Sequence, residues 1–249
     1  MGHRKPLLAV RTFAAVHRAA YRVVHHASRH CWHVAGGLCW LTGQAHAAGG
    51  HHAVDDAAIL EPGQCEVETW IDRERHGPRS LVHVGPACRV GPVELGFNVD
   101  RTQLSGQGAA TAAGPQVKWA YPLTESLGVG VVVAANGRDR TPRALTGVLV
   151  FPLTWQATDT VALHLNLGKD FRRSDEPDTR RSGAALEWAA LPAWSFVAER
   201  FRESDTNHWR VGARHVLSEG LTVDLSRAQA SQRRVPTWWT VGVTWAFDR

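Results

Sequence analysis

At 249 residues, 44% of them hydrophobic, the chain has room for one or two domains, and no linker rich in Pro, Gly and Ser divides it. No stretch approaches the roughly 18 consecutive apolar residues of a membrane-spanning helix, which excludes a helical membrane protein. The net charge of +5 comes from residues 1–47, which hold Arg4, Lys5, Arg11 and Arg18 but no Asp or Glu; the remainder is slightly acidic, so no nucleic-acid partner is expected.

The basic start leads to an apolar stretch around Val34 to Thr42 and then to Ala45-His46-Ala47, the order of a charged region, an apolar region and an A-x-A cleavage site. Residues 1–47 are therefore expected to be a signal peptide, cut between Ala47 and Ala48. Cys31 and Cys39 would leave with it. Cys65 and Cys88 remain, an even pair suited to an oxidising compartment. Residues 48–64 read as a periplasmic N-terminal leader, and 65–249 as the folded domain. His46, His51, His52, Asp55 and Asp56 cluster around this leader, but nothing in the pattern gives them the fixed spacing of metal ligands, so neither a metal site nor a cofactor is expected.

From Glu66 onward, runs of about eight to eleven residues alternate apolar with polar or small residues and end in Gly, Pro, Asp or Ser, the signature of strands with two unlike faces. Val67, Thr69 and Ile71 oppose Glu66, Glu68 and Asp72; Val82, Val84 and Val90 oppose His83 and Arg89. Val93, Leu95, Phe97 and Val99 alternate with Glu94, Asn98 and Asp100, and Val117, Trp119 and Tyr121 with Gln116 and Lys118. Leu127 to Ala135 and Val148 to Trp155 are more apolar and ambiguous in facing. Leu163, Leu165 and Leu167 then oppose His164 and Asn166, and Leu186 and Trp188 oppose Glu187; a ninth run covers Trp194 to Phe201. Trp209, Val211 and Ala213 alternate with Arg210, Gly212 and Arg214, Leu221, Val223 and Leu225 with Thr222, Asp224 and Ser226, and the last run spans Trp239 to Phe247.

About 12 strands result, an even number, so the expected fold is all-β, an antiparallel up-and-down transmembrane β-barrel. The connections also point there. Tight turns at Gly91-Pro92, Thr124 to Ser126, Gln156 to Asp159, Pro192-Ala193 and Ser218 to Gly220 alternate with longer loops at Thr102 to Gly114, Gly137 to Arg143, Arg172 to Ser182 and Ala228 to Pro236. The polar faces carry more charge than the dry interior of a small soluble barrel tolerates, and a wet lumen removes that objection. Glu68, Asp72, His83, Arg89, Asp100, Lys118, Glu187, Arg210, Arg214 and Asp224 are the candidate lumen-lining residues. Their mixed signs invite pairing across the lumen. Trp70, Trp119, Tyr121, Trp155, Trp188, Trp194, Trp209, Trp238, Trp239 and Trp245 tend to fall near run ends, as interfacial girdles require.

If Glu74 to Ser80 makes the first bend, the pairing that sets Ile71 against Val82 and Val67 against Pro86 also sets Cys65 against Cys88, close enough for a disulfide. Two independent buried thiols are the alternative. As for catalysis, Ser195, His164 and Asp224 are a nucleophile, a base and an acid by type, but no spacing links them and Gly-x-Ser-x-Gly is absent, so the chain is not expected to be an enzyme.

The final run, Trp239 to Phe247, resembles the C-terminal strand by which outer-membrane barrels engage the barrel-assembly machinery, although Asp248-Arg249 follow the terminal aromatic. His51-His52-Ala53-Val54-Asp55-Asp56 and Glu61-Pro62-Gly63-Gln64-Cys65-Glu66-Val67-Glu68 resemble the start of proteins in the family named for meta-pathway phenol degradation, whose members are outer-membrane barrels. The resemblance implies location in the outer membrane of a Gram-negative bacterium, contact with its lipid, and passage of small, hydrophobic or aromatic molecules; the solute itself is unknown. The alternatives are a closed structural barrel that transports nothing and a soluble periplasmic β-barrel or sandwich that binds a ligand.

Overall fold

In the computed structural model, residues 50–106, 108–139, 141–173, 177–232 and 235–249 are described; the expected signal peptide, with Cys31, Cys39, His46 and the cleavage site, lies outside them. Twelve strands follow one another: β1 (Gln64–Glu74), β2 (Arg79–Val90), β3 (Val93–Leu104), β4 (Gly108–Pro122), β5 (Leu127–Arg138), β6 (Thr141–Thr158), β7 (Val161–Arg173), β8 (Thr179–Leu191), β9 (Trp194–Glu203), β10 (Thr206–Ser218), β11 (Leu221–Ala230) and β12 (Trp238–Asp248). Each pairs antiparallel with its neighbours in sequence, and β12 pairs with β1, Val67 opposite Trp245 and Ile71 opposite Val241, so the sheet closes into a barrel with no free edge.

Because side chains alternate across a strand, closure sorts every second residue into the interior. Ile71, Leu95, Phe97, Leu167, Leu186, Val211, Leu225 and Val241 stand exposed on the outside, whereas Asp72, His83, Lys118, His164, Glu187, Arg210, Arg214 and Asp224 are buried. This distribution is inverted relative to a soluble protein. A continuous apolar outer band far exceeds the patches that monomers leave in water, and hydrocarbon is the solvent that suits it. The two strands of ambiguous facing divide in the same way: Val132, Ala134 and Val150 point in, while Val133, Phe151 and Trp155 point out.

Three expectations need correction. First, the connections do not alternate strongly in length. Several expected loops are strand: β3 runs to Leu104 and β4 begins at Gly108, and β5 and β6 are separated only by residues 139–140. The small and polar residues there read as loop, yet barrel pairing carries them as ladder. Second, Trp70 and Trp238 belong to no girdle. Trp70 stacks on inward His83, with ring centroids 3.5 Å apart, and Trp238 is buried beside His208. Of the others, Trp119, Tyr121, Trp155, Trp188, Trp194 and Trp245 face outward near the rim of short turns, and Trp209 and Trp239 near the opposite rim. Third, the leader is not outside the barrel. Val54 is 0% exposed and His51 only 5%. Residues 50–60 lie within the ring of strands.

The first hairpin has the expected register, with Ile71 opposite Val82, Val67 opposite Pro86 and Cys65 opposite Cys88. Cys65 and Cys88 form a disulfide with their Cα atoms 4.0 Å apart, near the rim of short turns.

Candidate functional site

The site is the lumen, and the leader fills much of it. From Gln64 the chain passes backwards into the barrel: the Leu60 amide donates to Glu94 (3.0 Å), and the Leu60 carbonyl accepts from Arg89 Nη1 (2.8 Å) at the rim between β2 and β3. Deeper, the Ala57 amide donates to Thr154 Oγ1, which also bonds His164 Nδ1 at 2.9 Å. Asp56 forms a 2.7 Å ion pair with Lys118. Asn166, with its amide oriented to satisfy both partners, brackets the Asp55 peptide, donating to its carbonyl (2.9 Å) and accepting from its N–H (2.6 Å). The segment has no regular structure of its own, so its backbone polar groups are paired by inward side chains of the wall.

The deepest part is apolar. Val54 packs with Ala185, Val197, Phe201, Ala228 and Trp238 in a small core inside the barrel. Gly183 makes the approach possible, since a Cβ there would meet the Val54 side chain. Glu199 holds the turn from beside this core: its carboxylate accepts from the Ala53 amide (3.2 Å) and the Val54 amide (3.1 Å) and pairs with Arg210 at 3.0 Å. Arg210 also donates to the His51 carbonyl. The chain then turns back through Gly50, whose φ of +75° is in the left-handed region, and whose amide donates to Glu68 (2.5 Å). Arg214 Nε donates to Asp224 at 2.8 Å nearby.

Burial pushes the His51 imidazole well below its ordinary range, and the charges of His52, Arg210 and Arg214 add to the effect. Asp55 is shifted upward by burial, against the pull of Lys118.

The ten lumen candidates all belong to the inner side, but they do different things. Asp72 accepts from Thr240, His83 bonds Asp100 at 2.7 Å, and Arg89 stands at the rim. Glu68 and Lys118 hold the leader, and Arg214 pairs with Asp224 directly across the β10–β11 ladder. Glu187 is buried 3.9 Å from His164. Pairing thus runs between neighbouring strands or to the leader, instead of across an open lumen as the mixed signs suggested. Asp224 Oδ1 accepts from the Arg214 guanidinium and not from His164, which leaves the Ser195, His164 and Asp224 set without the geometry of a triad. Glu199 escaped the sequence reading because β9 places Ser195, Val197, Glu199 and Phe201 inward against Trp194, Phe196, Ala198 and Arg200, two faces of little contrast. Its only signal was an acid in an apolar run.

A closed antiparallel ring with an apolar exterior and a polar, ion-paired interior defines a transmembrane β-barrel. The chain belongs to the family described as uncharacterised conserved protein UCP029691, whose model matches residues 37–247. In fold it is similar to the KdgM porin in complex with disordered oligogalacturonate, at a TM-score of 0.62 and 11% identity over 73% of this chain and 99% of that one. It is likewise similar to the NanC porin (0.59, 8% identity, 72% and 98% covered) and to the COG4313 outer membrane channel from Pseudomonas putida F1 (0.56, 10% identity, 77% and 98% covered). No curated protein matches the chain in sequence.

Proposed function

We propose that this protein is an outer-membrane channel for small molecules whose lumen is held shut by its own N-terminal leader. The observation that carries the reading is the leader itself: residues 50–60 are fastened to the wall by Glu94, Thr154, Lys118, Glu199 and Arg210, polar side chains that a purely structural barrel could replace with a packed apolar core. Fold likeness to the KdgM and NanC porins supports the same class. The apolar band supports location in the outer membrane, and the terminal strand β12, with its alternating apolar pattern, supports the same reading.

As to the solute, the resemblance of residues 51–56 and 61–68 to the phenol-degradation family favours a hydrophobic or aromatic molecule. The wall supports an amphipathic one: inner apolar residues, Val132, Ala134 and Val150 together with the cluster of Val197, Phe201 and Trp238, share the ring with charged and hydrogen-bonding groups. A phenolic compound, apolar in its ring and polar at one end, suits both.

The competing reading is a closed structural barrel, and the buried interior favours it. Planar-bilayer conductance separates the two. The protein lacking residues 50–60 is expected to conduct in steps that the intact protein does not show, and phenol is expected to enter vesicles faster through it. A deletion protein that folds, as judged by the gel shift of heat-modifiable barrels, yet neither conducts nor passes phenol would make the barrel structural.

A further inference from the structure

As the leader turns back toward Gly50 it carries His51 and His52 past β11, where one donor atom from each of His51, His52 and Asp224 lies within 4.8 Å of the others. These groups are deeply enclosed. His51 is 5% and Asp224 3% exposed, and the His52 side chain 2%. Yet among the described residues both ring nitrogens of His51, Nδ1 of His52 and Oδ2 of Asp224 have no hydrogen-bond partner. Glu199 approaches His52 Nδ1 only to 3.6 Å, beyond hydrogen-bond range. Buried polar atoms left in this state are costly, and histidine nitrogens and carboxylate oxygens are the donors that metal ions satisfy.

We propose that His51, His52 and Asp224 form a binding site for a late first-row divalent metal ion, with zinc as the reference ion. Two imidazoles and one carboxylate make a three-ligand set that leaves a fourth position for water. Tetrahedral zinc ligands at about 2.0–2.1 Å from the ion stand about 3.4 Å apart, so donor atoms that lie within 4.8 Å of one another close by about an ångström, through side-chain rotation, to complete the coordination. The nearby guanidiniums do not forbid a cation. Arg210 is matched by Glu199, Arg214 Nε engages Oδ1 of Asp224 and leaves Oδ2 for the ion, and Glu68, bonded to the Gly50 amide, brings a further carboxyl group to the same place. Gly242 gives the room: a Cβ there would stand 3.3 Å from His51 Nδ1. Because two ligands belong to the leader and one to the wall, bound metal would fasten the leader inside the barrel. The site stands independently of what passes through the lumen.

The test uses the exported, folded protein purified without a polyhistidine tag and stripped with chelator. Titration with Zn2+ by calorimetry, and with Co2+ by its visible absorption, is expected to show saturable binding of one ion per chain. The substitutions His51→Gln and His52→Gln should each weaken binding by at least about tenfold, and Asp224→Asn should weaken it as well, whereas His76→Gln and His215→Gln should leave it unchanged. The heat-modifiability shift reports folding of each variant, and if one ligand variant misassembles the other two carry the comparison. Absence of saturable binding, or binding that persists at full strength in the folded ligand variants, would overturn the site.

Discussion

Val54 and Glu199 show how a single side chain is given its task by its surroundings. Val54 is fully buried in a leader that is otherwise held by polar contacts, and the wall residues Ala185, Val197, Phe201, Ala228 and Trp238 make that burial favourable. Truncation to Ala is expected to cost about 1–2 kcal/mol, the transfer of two methyl groups plus a small cavity, measured by urea unfolding in detergent. Glu199→Gln keeps the shape but removes the charge that faces Arg210, and it should release the leader more than it destabilises the barrel: amide exchange at residues 53–54 should accelerate while the unfolding midpoint moves little. Slow exchange at these amides in the variant would mean that the leader is held elsewhere. The sequence does not single out Val54 among the apolar residues of the leader, since burial across the lumen has no local signature.

At the scale of the strand, alternation decides what lipid touches. Leu167 stands 68% exposed in the middle of β7, and Leu191, 61% exposed, ends β8 at the rim. Arginine at Leu167 is expected to cost about 2–4 kcal/mol for folding into vesicles, and at Leu191 about 0–1 kcal/mol, because the penalty follows depth in the bilayer. Equal costs would remove the membrane from the account. The β1–β2 hairpin gives a second measurement. The Cys65–Cys88 bridge spans 23 residues, so the double Cys→Ser variant should lose roughly 3 kcal/mol against denaturant, and the intact protein should offer no alkylatable thiol from this pair. Most strands and the hairpin register were legible because period two and cross-strand distance are local rules. The loops were not, since Ala, Gly and Thr runs such as residues 108–114 enter strands only when a neighbouring strand supplies the ladder.

For the molecule as a whole, both described ends of the barrel lie at the rim of residues 91–92, 159–160, 192–193 and 219–220, the side expected to face the periplasm. An epitope inserted at Gly106 should be reached by antibody on intact cells, and one at Glu219 should not; the reverse labelling would invert the barrel. The sequence by itself determined about twelve strands, the faces of most of them, the hairpin register and the apolar outer band, because each depends on spacing within a few residues of the chain. Only the tertiary structure decided that residues 50–60 turn into the lumen, that Lys118 meets Asp56, Glu199 meets Val54, and His51 and His52 meet Asp224. Those contacts join positions 62, 145 and more than 170 residues apart, and no periodicity records them. They exist because closing twelve strands leaves an interior too polar to collapse on itself and wide enough to admit one extended segment, whose amides and carboxylates then pair with the wall.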